Sequence, residues 1–200
     1  MYQQKKIYSF TNRLLIIYKP NLDFMVFLVF LLGVLCWTLI EYILHRFLGH
    51  VHKGKNFFKT EHVQHHAKFS YFAPAYKKAV SAAVVFSLSY LLLSLFAPTL
   101  MVLSFLIGLY GMYAIYELTH FRFHAKDPVA MPFVILRKHH FYHHFHNPKT
   151  NFGVTSRFWD KIFGTFKPVE KVRIPQKMAM QWLLDSNEVK EKYAADFYLA

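Results

Sequence analysis

Ten of the 13 histidines in this 200-residue chain fall into four tight groups. His45 and His50 read H-x4-H, and His62, His65 and His66 read H-x2-H-H. His120 and His124 read H-x3-H, and His140, His143 and His144 form a second H-x2-H-H. Residues three and four apart share one face of a helix. Each H-x2-H-H therefore offers one histidine with two more a turn later, enough to clamp one metal or to bridge two. His120 and His124 stack on one face. His45 and His50 straddle about 1.4 turns and need a change of direction near Gly49 to converge. Ten imidazoles nearly saturate two metals and still leave positions for water or dioxygen. Imidazole suits iron, zinc, copper and nickel, so the spacing alone does not fix the metal.

Carboxylates lie close to these groups. Glu41 is four residues before His45 and Glu117 three before His120, each a helical turn below a candidate ligand. A carboxylate there can accept the second ring N–H and fix the tautomer. Asp160 is a third candidate of the same kind. The alternative for the two glutamates is plain pairing with Arg46 and Arg122. Of the other histidines, His52 reads as solvated and His146 as interfacial. His139, beside His140, reads as a supporting residue rather than a ligand.

The elements that must carry these side chains are apolar. Hydrophobic residues make up 54% and aromatics 19% of the chain, yet its formal net charge is +13. Three segments are long enough to cross a bilayer, which takes about 20 residues of helix: 22–44, 79–97 and 99–118. Pro98 separates the last two and makes them a tight hairpin. All but four of the 24 Lys and Arg lie in 45–78 or after 118, on one side of the spans. The positive-inside bias makes that side cytoplasmic. Lys5, Lys6, Arg13 and Lys19 oppose it, so the first segment either crosses against the bias or is re-entrant. Residues 7–18 could lie flat on the surface as an amphipathic helix.

The expected fold is thus an all-α integral membrane protein: about three hydrophobic spans under a cytoplasmic, histidine-rich di-metal cap. It forms a single domain, with an N-terminal interfacial segment 1–21, a core 22–168 and a tail 169–200. The tail, with Gln181 to Leu184 and a charged stretch 188–192, reads as a surface helix. Cys36 is the single cysteine, which excludes a disulfide framework or a cysteine zinc site. The N-terminus lacks the pattern of a cleaved signal. No basic helix, stacking motif or finger spacing supports a nucleic-acid partner, despite a pI near 9.7.

Beyond the histidines, Glu41-Tyr42-Ile43-Leu44-His45-Arg46-Phe47, His62-Val63-Gln64-His65-His66, Glu117-Leu118-Thr119-His120 through His124, and His139 through Phe145 resemble the four boxes of the membrane di-iron superfamily. Asn151 to Ser156 and Phe158 to Thr165 resemble its closing signature. The likeness covers 35–168 and is nearest to the fatty acid and sphingolipid 2-hydroxylases. It implies two iron ions on the ten histidines, replaceable by zinc in a purified sample, and dioxygen activation to hydroxylate a lipid acyl chain near its carboxyl end. It implies a membrane lipid as substrate, held in an apolar slot between the spans, and an external electron-transfer protein as partner. The membrane is a bacterial inner membrane or an ER membrane. Two departures stand out: the chain has no room for the fused electron donor of some relatives, and 67–78 differs from the eukaryotic segment.

Competing readings share parts of this pattern. A sterol or lipid desaturase and a carotenoid hydroxylase would use the same metals. A metal transporter would place polar ligands near mid-membrane, whereas residues 80–96 carry no charge. A membrane b-type cytochrome would want single histidines deep in facing helices.

Overall fold

The computed structural model describes residues 21–126 and 133–200. The expected interfacial helix at 7–18 lies outside the described residues. Helix α1 (Leu22–Ile43) is capped by Asn21, whose side chain accepts from the Asp23 amide at 3.0 Å. It does not end where the sequence suggested. It continues as a π-helix over Leu44–Val51, closed by a His52 amide that donates to the Phe47 carbonyl at 2.8 Å. Then follow α2 (Phe57–Ala67), α3 (Ala75–Leu93), α4 (Thr99–Ala125), α5 (Phe133–Phe145) and the short α6 (Phe158–Ile162).

Three helices, Leu22–Val51, Ala75–Leu93 and Thr99–Ala125, are long and apolar enough to cross a membrane. Their side chains face outward: Phe27, Leu32, Leu88, Leu91 and Ile107 are each more than half exposed. A surface this apolar suits lipid and not water. The α1 and α4 helices are pressed together at Gly33 and Gly108. A Cβ on Gly33 would stand 2.1 Å from the Phe105 carbonyl oxygen, and one on Gly108 equally close to that of Phe30. Small residues permit such backbone approach in membrane bundles. An acyl chain has no room between α1 and α4 at that depth. Helix α3 buries none of its residues and reaches α4 through contacts such as Phe86 with Tyr110, 5.1 Å apart.

The tail corrects the expectation of a surface helix. It holds four short strands, with single helical turns before β2 and between β3 and β4: β1 (Val172–Ile174), β2 (Leu184–Asp185), β3 (Glu188–Val189) and β4 (Phe197–Leu199). β1 pairs in parallel with β4, and β2 in antiparallel with β3. Ser186 and Asn187 both take positive φ, 47° and 72°, as a tight hairpin turn of primed type requires. That dipeptide splits the run that had read as helical. Val172, Ile174, Met180, Leu183, Tyr193 and Phe197 then bury against Phe123 and Phe141, forming the core of the cap.

Arg137 anchors this cap to α4. It is 2% exposed, and its guanidinium donates to the carbonyls of Arg122 and Lys126 at 2.9 and 3.0 Å. Those are carbonyls of the last turn of α4, where a cation is favoured. Its other face lies 4.2 Å from the Trp182 ring, and the Trp182 indole donates to the His124 carbonyl at 3.0 Å.

Candidate metal centre

All ten boxed histidines converge, and they divide into two groups of five. His45, His50, His62, His66 and His143 form the first; His65, His120, His124, His140 and His144 form the second. Within each, one nitrogen per residue lies within 4.8 Å of all the others. The helices explain the division. His120 and His124 on α4, and His140 and His144 on α5, are α-helical i,i+4 pairs facing the second cluster. His62 and His66 on α2 are the same kind of pair facing the first. His45 and His50 share a face because the π-helix hydrogen-bonds i to i+5 and brings residues five apart into line. No bend at Gly49 is needed. Gly49 instead makes room for His62, whose ring carbon would lie 2.9 Å from an added Cβ. Each H-x2-H-H sends its outer pair to one cluster and its middle histidine to the other.

Hydrogen bonds orient the rings. The Nδ1–H of His143 donates to the Thr150 carbonyl at 2.8 Å, that of His65 to the Tyr71 carbonyl at 2.7 Å, and that of His45 to the Phe152 carbonyl. A proton on Nδ1 leaves the lone pair on Nε2. His45 Nε2 and His143 Nε2 are then two acceptors facing each other at 3.0 Å, and His66 Nε2 lies 3.2 Å from His143 Nε2. Two lone pairs so placed repel unless a cation lies between them. In the other cluster the buried Nε2 atoms of His65, His120 and His144 meet no hydrogen-bond partner among the described residues. Imidazole nitrogens about 2.0–2.1 Å from a shared ion stand roughly 3 Å apart. The donor set fits a pair of metal ions.

Burial favours the same state. It holds His62, His140, His143 and His144 far below the usual imidazole range, His65 at about 4 and His66 at about 2. Neighbouring imidazoles add to the effect at most of these positions. Neutral imidazole is the form that binds metal.

The carboxylates do not touch the ten histidines. Glu41 accepts from the amides of Val154 and Thr155 instead of from a ring. Glu117 accepts from Lys78 Nζ at 2.5 Å. Neither pairs with the arginine expected as the alternative; Arg46 donates to the Tyr42 hydroxyl at 2.7 Å. His139 Nε2 donates to Asp160 at 3.0 Å. Burial pushes the Asp160 carboxyl up. The hydrogen bonds from His139, the Thr165 hydroxyl and the Gly153 amide outweigh that and hold it below the usual carboxylate range. His52 sits on the exposed turn before α2, bonded to Gly54 at 3.1 Å. The acceptors for His45, His65 and His143 are backbone carbonyls, which no residue type in the sequence announces.

Three apolar helices beneath two facing five-histidine clusters define a membrane protein with a histidine-rich site fit for metal. The chain belongs to the fatty acid hydroxylase family, whose model matches residues 30–165. It is 36% identical to fatty acid 2-hydroxylase of Rattus norvegicus over 155 residues, covering 71% of this chain and 40% of that one. It is 33% identical to the dihydroceramide fatty acyl 2-hydroxylase FAH2 of Arabidopsis thaliana, covering 72% and 62%. It is 38% identical to the ceramide very long chain fatty acid hydroxylase SCS7 of Saccharomyces cerevisiae, covering 69% and 38%. The chain thus spans less than two thirds of the length of these relatives. A solved structure of full-length scs7p, with only its hydroxylase domain visible, matches with a TM-score of 0.58 and 31% identity. That match covers 75% of this chain and 59% of the other.

Proposed function

We propose that this protein is an oxygen-dependent hydroxylase of lipid acyl chains, with two iron ions held by the ten clustered histidines. The observation that carries the reading is the pair of facing acceptors, His45 Nε2 and His143 Nε2, repeated in kind by the unpartnered nitrogens of the second cluster. The names of the relatives, all hydroxylases of fatty acyl groups, support the reaction. Bound there, iron supplies the redox chemistry that activates dioxygen against an unactivated methylene, which zinc cannot supply. Zinc can still occupy the same imidazoles in a purified sample.

The residues of the chain do the rest. The Thr150, Phe152 and Tyr71 carbonyls hold three rings in the ligating tautomer. Burial keeps them neutral. Phe72 packs on His65, His120 and His124 at ring distances of 5.2–6.0 Å and on Phe121 at 5.3 Å. It covers the second cluster on the side where α4 shows Leu118 and Phe121 to the lipid. The substrate is a membrane lipid whose acyl chain arrives from the bilayer and is hydroxylated near the carboxyl end. One oxygen atom enters the chain and the other leaves as water, consuming two electrons and two protons. An external electron-transfer protein delivers the electrons. The basic side of the spans is cytoplasmic, and the clusters lie at that end of the helices.

The test is the purified protein loaded with ferrous iron and given reductant, lipid and labelled dioxygen. Label in the acyl chain supports hydroxylation. A new double bond without label would replace the reading with desaturation, which the same metals permit. Unchanged lipid across a broad panel would overturn both.

A further inference from the structure

Four consecutive backbone amides, of Phe152, Gly153, Val154 and Thr155, each donate to a buried carboxylate. Asp160 takes the first two, at 2.9 and 2.8 Å. Glu41 takes the next two, at 2.5 and 3.0 Å, and accepts from the Thr155 hydroxyl as well. The two carboxylates come from opposite ends of the chain, Glu41 from α1 and Asp160 from α6. Gly153 is required between them, because a Cβ there would stand 1.8 Å from the Ser156 carbonyl oxygen. Asn151 opens the loop at φ 58°. Both ends of its amide bind the Lys167 backbone, at 2.7 and 3.1 Å.

With its amides committed to the carboxylates, the loop aims two carbonyls at the histidines: Phe152 at His45 and Thr150 at His143. Both histidines belong to the first cluster. The second cluster has separate support. His65 uses the Tyr71 carbonyl, and the Tyr71 hydroxyl is held by Glu61 at 2.5 Å. Among the described residues, no hydrogen bond from loop 150–155 reaches a histidine of the second cluster. A ligand whose second nitrogen loses its acceptor loses orientation, and such losses typically weaken metal binding about 10–100-fold.

We infer that Glu41 and Asp160 are positioning residues for one metal site only: by fixing loop 150–155 they govern retention at the first cluster and leave the second unaffected. The inference rests on the dinuclear reading above. It makes the two sites chemically unequal although each has five imidazoles.

The test uses the full-length protein in lipid nanodiscs, loaded with zinc, with metal content and affinity followed by mass spectrometry under stepwise chelator competition. The wild type should bind two ions. Glu41→Gln and Asp160→Asn should each bind one as the wild type does and the other about 10–100-fold more weakly. Adding His62→Ala, which removes a first-cluster ligand, should weaken that same ion further and leave the other as in the wild type. Adding His120→Ala should weaken both ions. Thr155→Val removes a single hydrogen bond from Glu41 and should weaken the same ion to a smaller degree with helix content unchanged. It carries the test where a carboxylate variant fails to fold. Equal weakening of both ions by Thr155→Val, or no weakening by any of these variants, overturns the inference. A wild type that binds fewer than two ions overturns the dinuclear reading itself, before any variant is compared.

Discussion

His143 Nε2 stands 3.0 Å from His45 Nε2 and so faces away from the cluster that His140 and His144, on the same helix, complete. His65 does the converse. It sits between His62 and His66 in sequence, yet its ring lies 4.5 Å from His120 and 4.6 Å from His124. Each cluster is two same-helix pairs and one borrowed histidine. This exchange makes both clusters depend on α2 and on α5.

The clustered histidines are the first place to look for loss of function. His65→Ala, His120→Ala and His143→Ala should each abolish acyl hydroxylation, because each removes a proposed ligand that no neighbour can replace. His52→Ala should retain activity within about twofold, as exposed substitutions usually do. Turnover of a fatty acyl substrate by iron-loaded protein decides it. A dead His52→Ala alongside a fully active His120→Ala would contradict the ligand set.

The α1–α4 contact should be intolerant of bulk. Gly33→Leu or Gly108→Leu must force apart backbones that leave no space for even a Cβ. The expected cost is about 1–3 kcal/mol, the range for overpacking, read as a lower thermal midpoint in detergent. Gly111, whose Cβ would meet nothing within 4 Å, should accept alanine without loss.

Arg137 links the cap to the helix that carries His120 and His124. Arg137→Met would remove the guanidinium donor from the Lys126 carbonyl, leave the Arg122 carbonyl with the Lys126 amide as donor, and take the cation from the Trp182 face. A loss of about 1.5–3 kcal/mol is expected, the range for hydrogen bonds to a charged group. Arg137→Lys, which keeps the charge but lacks the two-pronged geometry, should fall in between. Chemical denaturation of the three proteins side by side measures the series.

Acid should strip the site. In the unfolded chain an imidazole takes a proton near pH 6.5, whereas the folded protein holds His65 at about 4. A depressed folded value means that the unfolded state binds more protons in this window. Stability therefore falls as pH drops from about 6.5 toward 4, and bound metal is released over the same range as protons compete for the ligands. A pH titration of metal content would show the release. Full metal retention at pH 4 would show that the imidazoles are not the ligands.

Much of this architecture was legible in the sequence because its signals are local. Histidines three and four apart, apolar runs of about 20 residues and basic stretches to one side each report on a helix or its ends without knowledge of the fold. Three features were not legible. The π-helix at Leu44–Val51 depends on a hydrogen-bonding choice that residue types do not dictate, so the five-residue spacing suggested a bend. The tail read as a helix because Trp182, Leu183 and Leu184 are helix-compatible; the Ser186–Asn187 turn and burial against Phe141 prevailed. Glu41 and Glu117 lie a turn below histidines, as the spacing said, but their carboxylates turn to a backbone loop and to Lys78. Helical spacing places a side chain on a face. It does not choose its partner.

The exchange of His65 and His143 also bears on how the polypeptide could be divided. A cut in the turn between α3 and α4 gives an N-terminal fragment with His45, His50, His62 and His66, and a C-terminal one with His120, His124, His140 and His144. Each fragment also carries the histidine that the other lacks. Neither can complete its own set of five. The two pieces would regain both sets of five histidines only by reassembling with each other, as interlocking halves that complement in trans.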